Sequence, residues 1–135
     1  MRHILVLVVI LTIFASSGSC TNDPFSFPLE SALANGKPTL AEFGGKNCIP
    51  CKSMWPTLKE LSQEYAGKLN VVIIDVSQNQ DLANRYGIVW IPEQLFFDKT
   101  GKVVMRHSGT MTKEEICIQL NDLGIKSPAV NKFNW

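Results

Sequence analysis

Residues 47–56 read NCIPCKSMWP. Two cysteines, Cys48 and Cys51, stand three apart, with Pro50 against the second. Such a pair can anchor haem, form half of a metal site, staple a loop or exchange electrons. Covalent haem attachment needs a histidine directly after the second cysteine, and Lys52 occupies that place. A structural zinc site needs four ligands. The remaining stock is Cys20, Cys117, His3 and His107, scattered along the chain, so no metal is expected. Copper accepts fewer soft ligands and stays open on this ground alone. A passive staple closing so short a loop removes little chain entropy. Redox chemistry fits the local pattern best. The pair opens a helical stretch, and residues three apart on a first turn share a face. That placement lets the sulfurs close or open a disulfide. The sulfur of Cys48 would lie at the helix N-terminus, where free amides and the helix dipole favour a thiolate. Pro50 is tolerated there because first-turn amides have no helical partner.

Working outward, Met54, Leu58, Leu61 and Tyr65 recur at three- and four-residue steps, which predicts an amphipathic helix from Cys51 to about Ala66. Pro56 falls inside it and is expected to kink it. Upstream, LESALANGKP predicts a short helix ended by Asn35-Gly36, and TLAEFGG (residues 39–45) predicts a buried strand. Downstream, LNVVIIDV (residues 69–76) is almost continuously apolar, the profile of a central strand covered on both faces. NQDLANRYG (79–87) predicts a short helix capped by Asn79 or Asp81. EQLFFD (93–98) and GKVVMRHSG (101–109) predict two strands joined by the turn DKTG. A final helix opens with a Thr112-x-x-Glu115 capping box and carries a core stripe of Ile116, Leu120 and Leu123. The order α-β-α-β-α-β-β-α implies an α/β domain with a mixed sheet and helices on both faces.

The chain has 135 residues, one domain's worth. Its net charge is +1 and no segment carries a dense run of lysine and arginine, so nucleic acid is not an expected partner. The N-terminus differs in kind. Arg2 and His3 precede the apolar run ILVLVVILTIFA, and small residues, SSGSC, follow. This describes an export signal, and the run falls short of the roughly 20 apolar residues of a membrane span. Residues 1–19 are therefore expected to be a signal segment, 20–28 a tether, 29–126 the folded domain and 127–135 a tail. Cys20, just after Gly18 and Ser19, is a candidate for lipidation, with plain secretion the alternative. Export would set the cysteine pair in an oxidising compartment.

With these residues in place, FGGKNCIPCKSMWP resembles the active-site segment of thioredoxins, and the similarity runs from about Leu29 to Gly124. Pro56 matches the family's kinking proline, Ile91-Pro92 its cis-proline motif, FFDKTGKVV its hairpin, and Gly109 its glycine near the site. The resemblance implies a thioredoxin-like fold and a thiol-disulfide oxidoreductase, with Cys48 attacking, Cys51 resolving and the pair cycling between dithiol and disulfide. It implies a cis bond before Pro92, with Ile91 pairing its backbone to an extended substrate. It also places Glu42 where the family keeps a buried acid that moves the proton of the resolving thiol, so burial should raise its pKa. No cofactor is implied.

Departures from the family's pattern are equally specific. Asn47 replaces a tryptophan, Ile49 a glycine, Ile73 a lysine near the buried acid, and Glu93 a threonine after the cis-proline. Trp90 and Ile49 are expected to enlarge an apolar substrate surface. Pro50 before the second cysteine resembles the reducing branch of the family. The expectation is a monomeric reductase of protein disulfides outside the cytosol, recharged by a membrane electron-transfer protein. The alternatives are a non-catalytic binding module on the same fold and a metal- or haem-delivery accessory protein. Cys117 is expected to be a buried small hydrophobe, His107 a surface residue, and Met54 and Trp55 helix packing, Trp55 at the border of the site.

Overall fold

A computed structural model of the protein describes residues 28–127. The export signal, Cys20, most of the tether and all but the first residue of the tail therefore lie outside the described residues. Eight elements follow in the expected order: α1 (Leu29–Ala34), β1 (Thr39–Gly44), α2 (Ile49–Glu64), β2 (Asn70–Asp75), α3 (Gln80–Arg85), β3 (Glu93–Phe97), β4 (Val103–Ser108) and α4 (Lys113–Asp122). The strands form one mixed sheet in the order β2-β1-β3-β4. β1 pairs parallel with β2 and antiparallel with β3, and β3 pairs antiparallel with β4.

Alternation along the strands sends side chains to two cores. On one face, Leu40, Val71, Ile73 and Phe96 pack against Met54, Leu58, Leu61 and Tyr65 at the end of and within α2, and against Ile116 and Leu120 of α4. On the other, Ala41, Phe43, Val72, Ile74, Leu95 and Phe97 pack against Leu29 and Ala32 of α1, with Leu82 of α3 beside them. Two covered faces explain the one topological difference from the sequence reading. β2 is an edge strand of the described sheet, not a central one. Its apolar run needs cover on both faces, which the helices give, and not a strand on both sides. At the start of β2, Asn70 ties the strand to its neighbours, its Nδ2 donating to the Ala32 carbonyl of α1 and to Thr39 Oγ1 of β1 at 2.9 and 3.0 Å.

Helix ends also departed from expectation in two places. Asn79 occupies the N-cap position of α3 without capping it through its side chain, which instead donates to the Asp75 carbonyl at 2.9 Å. Asp81 lies in the first turn. In α4 the Thr112–Glu115 capping box forms, but Leu123 ends 38% exposed. Gly124, with φ +78°, reverses the chain, and the Ile125 amide donates to the Leu120 carbonyl at 2.8 Å. This Schellman closure turns Ile125 into the core in place of Leu123. α2 continues through Pro56, whose missing amide leaves the Lys52 carbonyl without its helical donor.

Candidate active site

β1 ends at Gly44, a glycine-led turn follows, and α2 begins at Ile49. The two cysteines straddle that start. Cys48 is the N-cap residue of α2, and its Sγ accepts the Cys51 amide at 3.2 Å. Sulfur thus satisfies one of the amides that a helix start leaves open. The two sulfurs are bonded, with an S–S distance of 2.01 Å and a Cα–Cα distance of 5.3 Å. Their environments differ: Cys48 is half-buried, whereas Cys51 is fully buried. An incoming group can therefore reach Cys48 and not Cys51.

Glu42 lies on β1, two residues before Gly44, and its side chain is fully buried on the α2 face of the sheet. It is not an edge residue, because β1 is flanked by β2 and β3. Register places Ile73 beside it on one side and Gln94 on the other. No cation faces it from either strand. Burial pushes its pKa from the usual carboxylate value up to about 7, and the Trp55 side chain, which acts in the opposite sense, offsets only part of the shift. Gly44 makes the approach to Cys51 feasible. A Cβ at that position would stand 2.7 Å from Glu42 Oε1 and 3.1 Å from Cys51 Cβ, so the carboxyl group and the buried cysteine share a space that only glycine leaves open. Trp55 and Ile73 also line a cavity of about 180 Å³ with Gly45, Lys46 and Asp75.

The loop from Ile88 to Pro92 forms the opposite wall. The Ile91–Pro92 bond is cis. A Cβ at Gly45 would lie 3.5 Å from Ile91 Cδ1 and 4.0 Å from Cys48 Cβ, so Ile91 and the outer cysteine both approach the same glycine. The chain neighbours of these two residues are apolar and exposed: Ile49, after Cys48, is 81% exposed, and Trp90 and Val89, before Ile91, are 75% and 76% exposed.

The structure thus brings Cys48, Cys51, Glu42, Ile49, Ile91 and Pro92 to one end of the sheet, with Trp90 on the same loop. Cys117 is only half-buried, on the rim of the core, and accepts a hydrogen bond from the Tyr65 hydroxyl at 3.6 Å, so it is not the fully buried residue expected. His107 is half-buried on β4. Among the described residues no group of three or more His, Cys, Asp or Glu side chains is placed to hold a metal ion, and no helix is long and apolar enough to cross a membrane.

Three residues escaped the sequence reading. In the sequence Gly44 falls within the apolar strand of residues 39–45 and carries no further signal. Gln94, fully buried opposite Glu42, donates from Nε2 to Met54 Sδ at 3.4 Å while its Oε1 has no partner. Arg106, on β4, meets the buried Glu93 carboxylate at 2.6 Å. A buried polar residue inside an apolar strand, as at Glu93-Gln94, was the available signal.

A thioredoxin family model matches residues 21–122. The chain is 42% identical to Thioredoxin C-2 of Corynebacterium nephridii over 79 residues, covering 58% of this chain and 72% of that protein. It is 44% identical to thioredoxin of Bacillus subtilis over 77 residues, covering 57% and 73%. It is 37% identical over 86 residues to a protein of Synechocystis named as a thiol:disulfide interchange protein TxlA homolog, covering 62% of this chain and 48% of that relative.

Proposed function

The chain belongs to the thioredoxin family and is a protein-disulfide oxidoreductase with a Cys48–Cys51 disulfide; from that premise we propose that it acts outside the cytosol and in the reducing direction. The single observation that carries the chemistry is the asymmetric pair at the start of α2, with one accessible and one enclosed sulfur.

In the reduced protein, the Cys48 thiolate attacks one sulfur of a substrate disulfide. A Cys48–substrate disulfide forms, the substrate S–S bond breaks, and the leaving sulfur departs as a thiolate that takes a proton from water. The Cys51 thiol then gives its proton to the Glu42 carboxylate and attacks Cys48 Sγ. The Cys48–Cys51 bond forms and the second substrate sulfur leaves. Two electrons have passed from the dithiol to the substrate. A helix start favours the Cys48 thiolate, and a carboxyl group with a pKa of about 7 can accept and return a proton near neutral pH. Glu42 reaches that value through burial without a cation beside it.

The substrate is a protein segment rather than a small thiol compound. The exposed Ile49, Trp90 and Ile91 support apolar docking beside the disulfide, and the backbone at Ile91-Pro92 suits an extended segment. Export rests on the apolar N-terminal run and the small residues before Cys20, with lipidation of Cys20 one way of holding the domain at a membrane. The reducing direction rests on Pro50. A monomer in an oxidising compartment that gives away two electrons per turnover needs a membrane electron-transfer protein to restore its dithiol.

Trapping tests this reading. Cys51→Ser removes the resolving thiol, so the mixed disulfide at Cys48 should accumulate with proteins of the exported fraction. Cytosolic partners alone, or no adduct from a Cys51→Ser protein that still reacts with a small disulfide, would overturn it.

A further inference from the structure

We propose that Arg106 is a positioning residue that holds the substrate-docking loop, and so sets affinity for protein disulfides without touching them. The proposal rests on the reading above that the apolar loop receives the substrate. One guanidinium reaches three acceptors at the two ends of that loop. Nη2 donates to the Tyr86 carbonyl at 2.5 Å, and Nη1 donates to the Gly87 carbonyl at 3.4 Å and to Glu93 Oε1 at 2.6 Å. Tyr86 is the C-cap of α3, and Gly87 follows it with φ +64°. Their carbonyls are among those a helix end leaves without partners, and a cation suits that end. Glu93 immediately follows Pro92 and is 3% exposed.

Between these anchors the chain carries Val89, Trp90 and Ile91, all exposed. Their exposure is not that of a loose segment, because both roots are fixed. The Tyr86 ring packs against Phe43 and Phe97, with ring centroids 5.8 and 5.5 Å away. The Ile88 amide donates to the Ala83 carbonyl at 2.9 Å, and the Gly109 amide to the Pro92 carbonyl at 2.8 Å. Arg106 is the one side chain among these that ties the entry and the exit together. Its planar fork suits several acceptors at once, which a lysine ammonium on a flexible stem does not reproduce. Glu93, which stands where the family keeps threonine, thereby becomes the partner that fixes the guanidinium. A docking element held in its bound shape loses less freedom on binding than one that must be ordered by the substrate.

The test compares two variants with the wild-type protein. Arg106→Lys keeps a positive charge for Glu93 and removes the fork. The double variant Arg106→Gln with Glu93→Gln removes both charges, so no lone carboxylate is left buried. Steady-state reduction of insulin supplies KM and kcat, a small aromatic disulfide supplies a rate that needs no docking loop, and a melting curve reports the fold. The expected result in folded variants is a rise of about three- to tenfold in KM for insulin, from the added cost of ordering one or two side chains, with kcat and the small-disulfide rate unchanged. An unchanged KM in both variants, whether or not the melting temperature falls, would overturn the role of Arg106 alone. A wild-type protein that reduces the small disulfide and not insulin would overturn the substrate reading, and this proposal with it.

Discussion

Replacing Glu42 by glutamine removes an ionisable group that the fold encloses completely, and the consequence can be worked out from its titration. In the folded protein its pKa stands near 7, against an ordinary value of 4.5, because burial disfavours the charged form. A carboxyl group whose folded pKa is raised makes stability fall as pH rises. The unfolded chain ionises from 4.5 upward while the folded chain keeps its proton to about 7, so the loss develops across that window and is complete above it. One proton contributes about 1.4 kcal/mol per pH unit in such a window. Between pH 5 and pH 8 the oxidised wild-type protein should therefore lose about 2 to 3 kcal/mol relative to Glu42→Gln. Burying an amide in place of the acid carries its own cost, but that cost does not vary with pH and cancels in the comparison. Urea unfolding of both oxidised proteins at pH 5, 6, 7 and 8 measures the difference directly. Parallel stability profiles, separated by a constant offset, would refute the placement of Glu42 as a buried acid that titrates near neutrality.

The same residue should shape turnover. Below about pH 7 Glu42 keeps its proton and cannot take that of Cys51, so decay of the mixed disulfide, followed by rapid quenching, should slow with falling pH. In Glu42→Gln it should be slower by about two orders of magnitude and lose this dependence. Gly44→Ala introduces a methyl group 2.7 Å from Glu42 Oε1 and 3.1 Å from Cys51 Cβ; it should impair the resolving step while leaving adduct formation at Cys48 intact, as read by trapping kinetics. Leu58→Ala, at a fully buried position where α2 meets the sheet, should cost about 2 to 5 kcal/mol in urea unfolding.

The elements were legible in the sequence where periodicity and end signals agreed. The three-to-four-residue spacing of Met54, Leu58, Leu61 and Tyr65 located α2, and the Thr112–Glu115 pair located the start of α4, because each pattern is local. Sheet order was less accessible. A continuous apolar run such as Val71–Ile74 reports that both faces are covered and says nothing of what lies to either side, so β2 was read as central although it is an edge. Leu123 failed for a similar reason: the helical period continues to it, but the reversal at Gly124 exchanges it for Ile125. The cysteine pair and Glu42 could be named from their spacing and from the family resemblance. The burial of Glu42 against Ile73 and Gln94 depends on strand register, which no local pattern carries. Arg106 was invisible for the same reason, since its acceptors lie 13 to 20 positions away, one on the neighbouring strand β3 and two at the end of α3, and only the tertiary fold brings them together.

The central claim is that Cys48 and Cys51 form a reducing couple. The reduction potential of that couple, measured by equilibration with glutathione at neutral pH, tests it most directly. A value near thioredoxin's, about −270 mV, is the predicted result. A value near that of strong oxidants, about −120 mV, would contradict it and make the protein a donor of disulfides rather than a reductase.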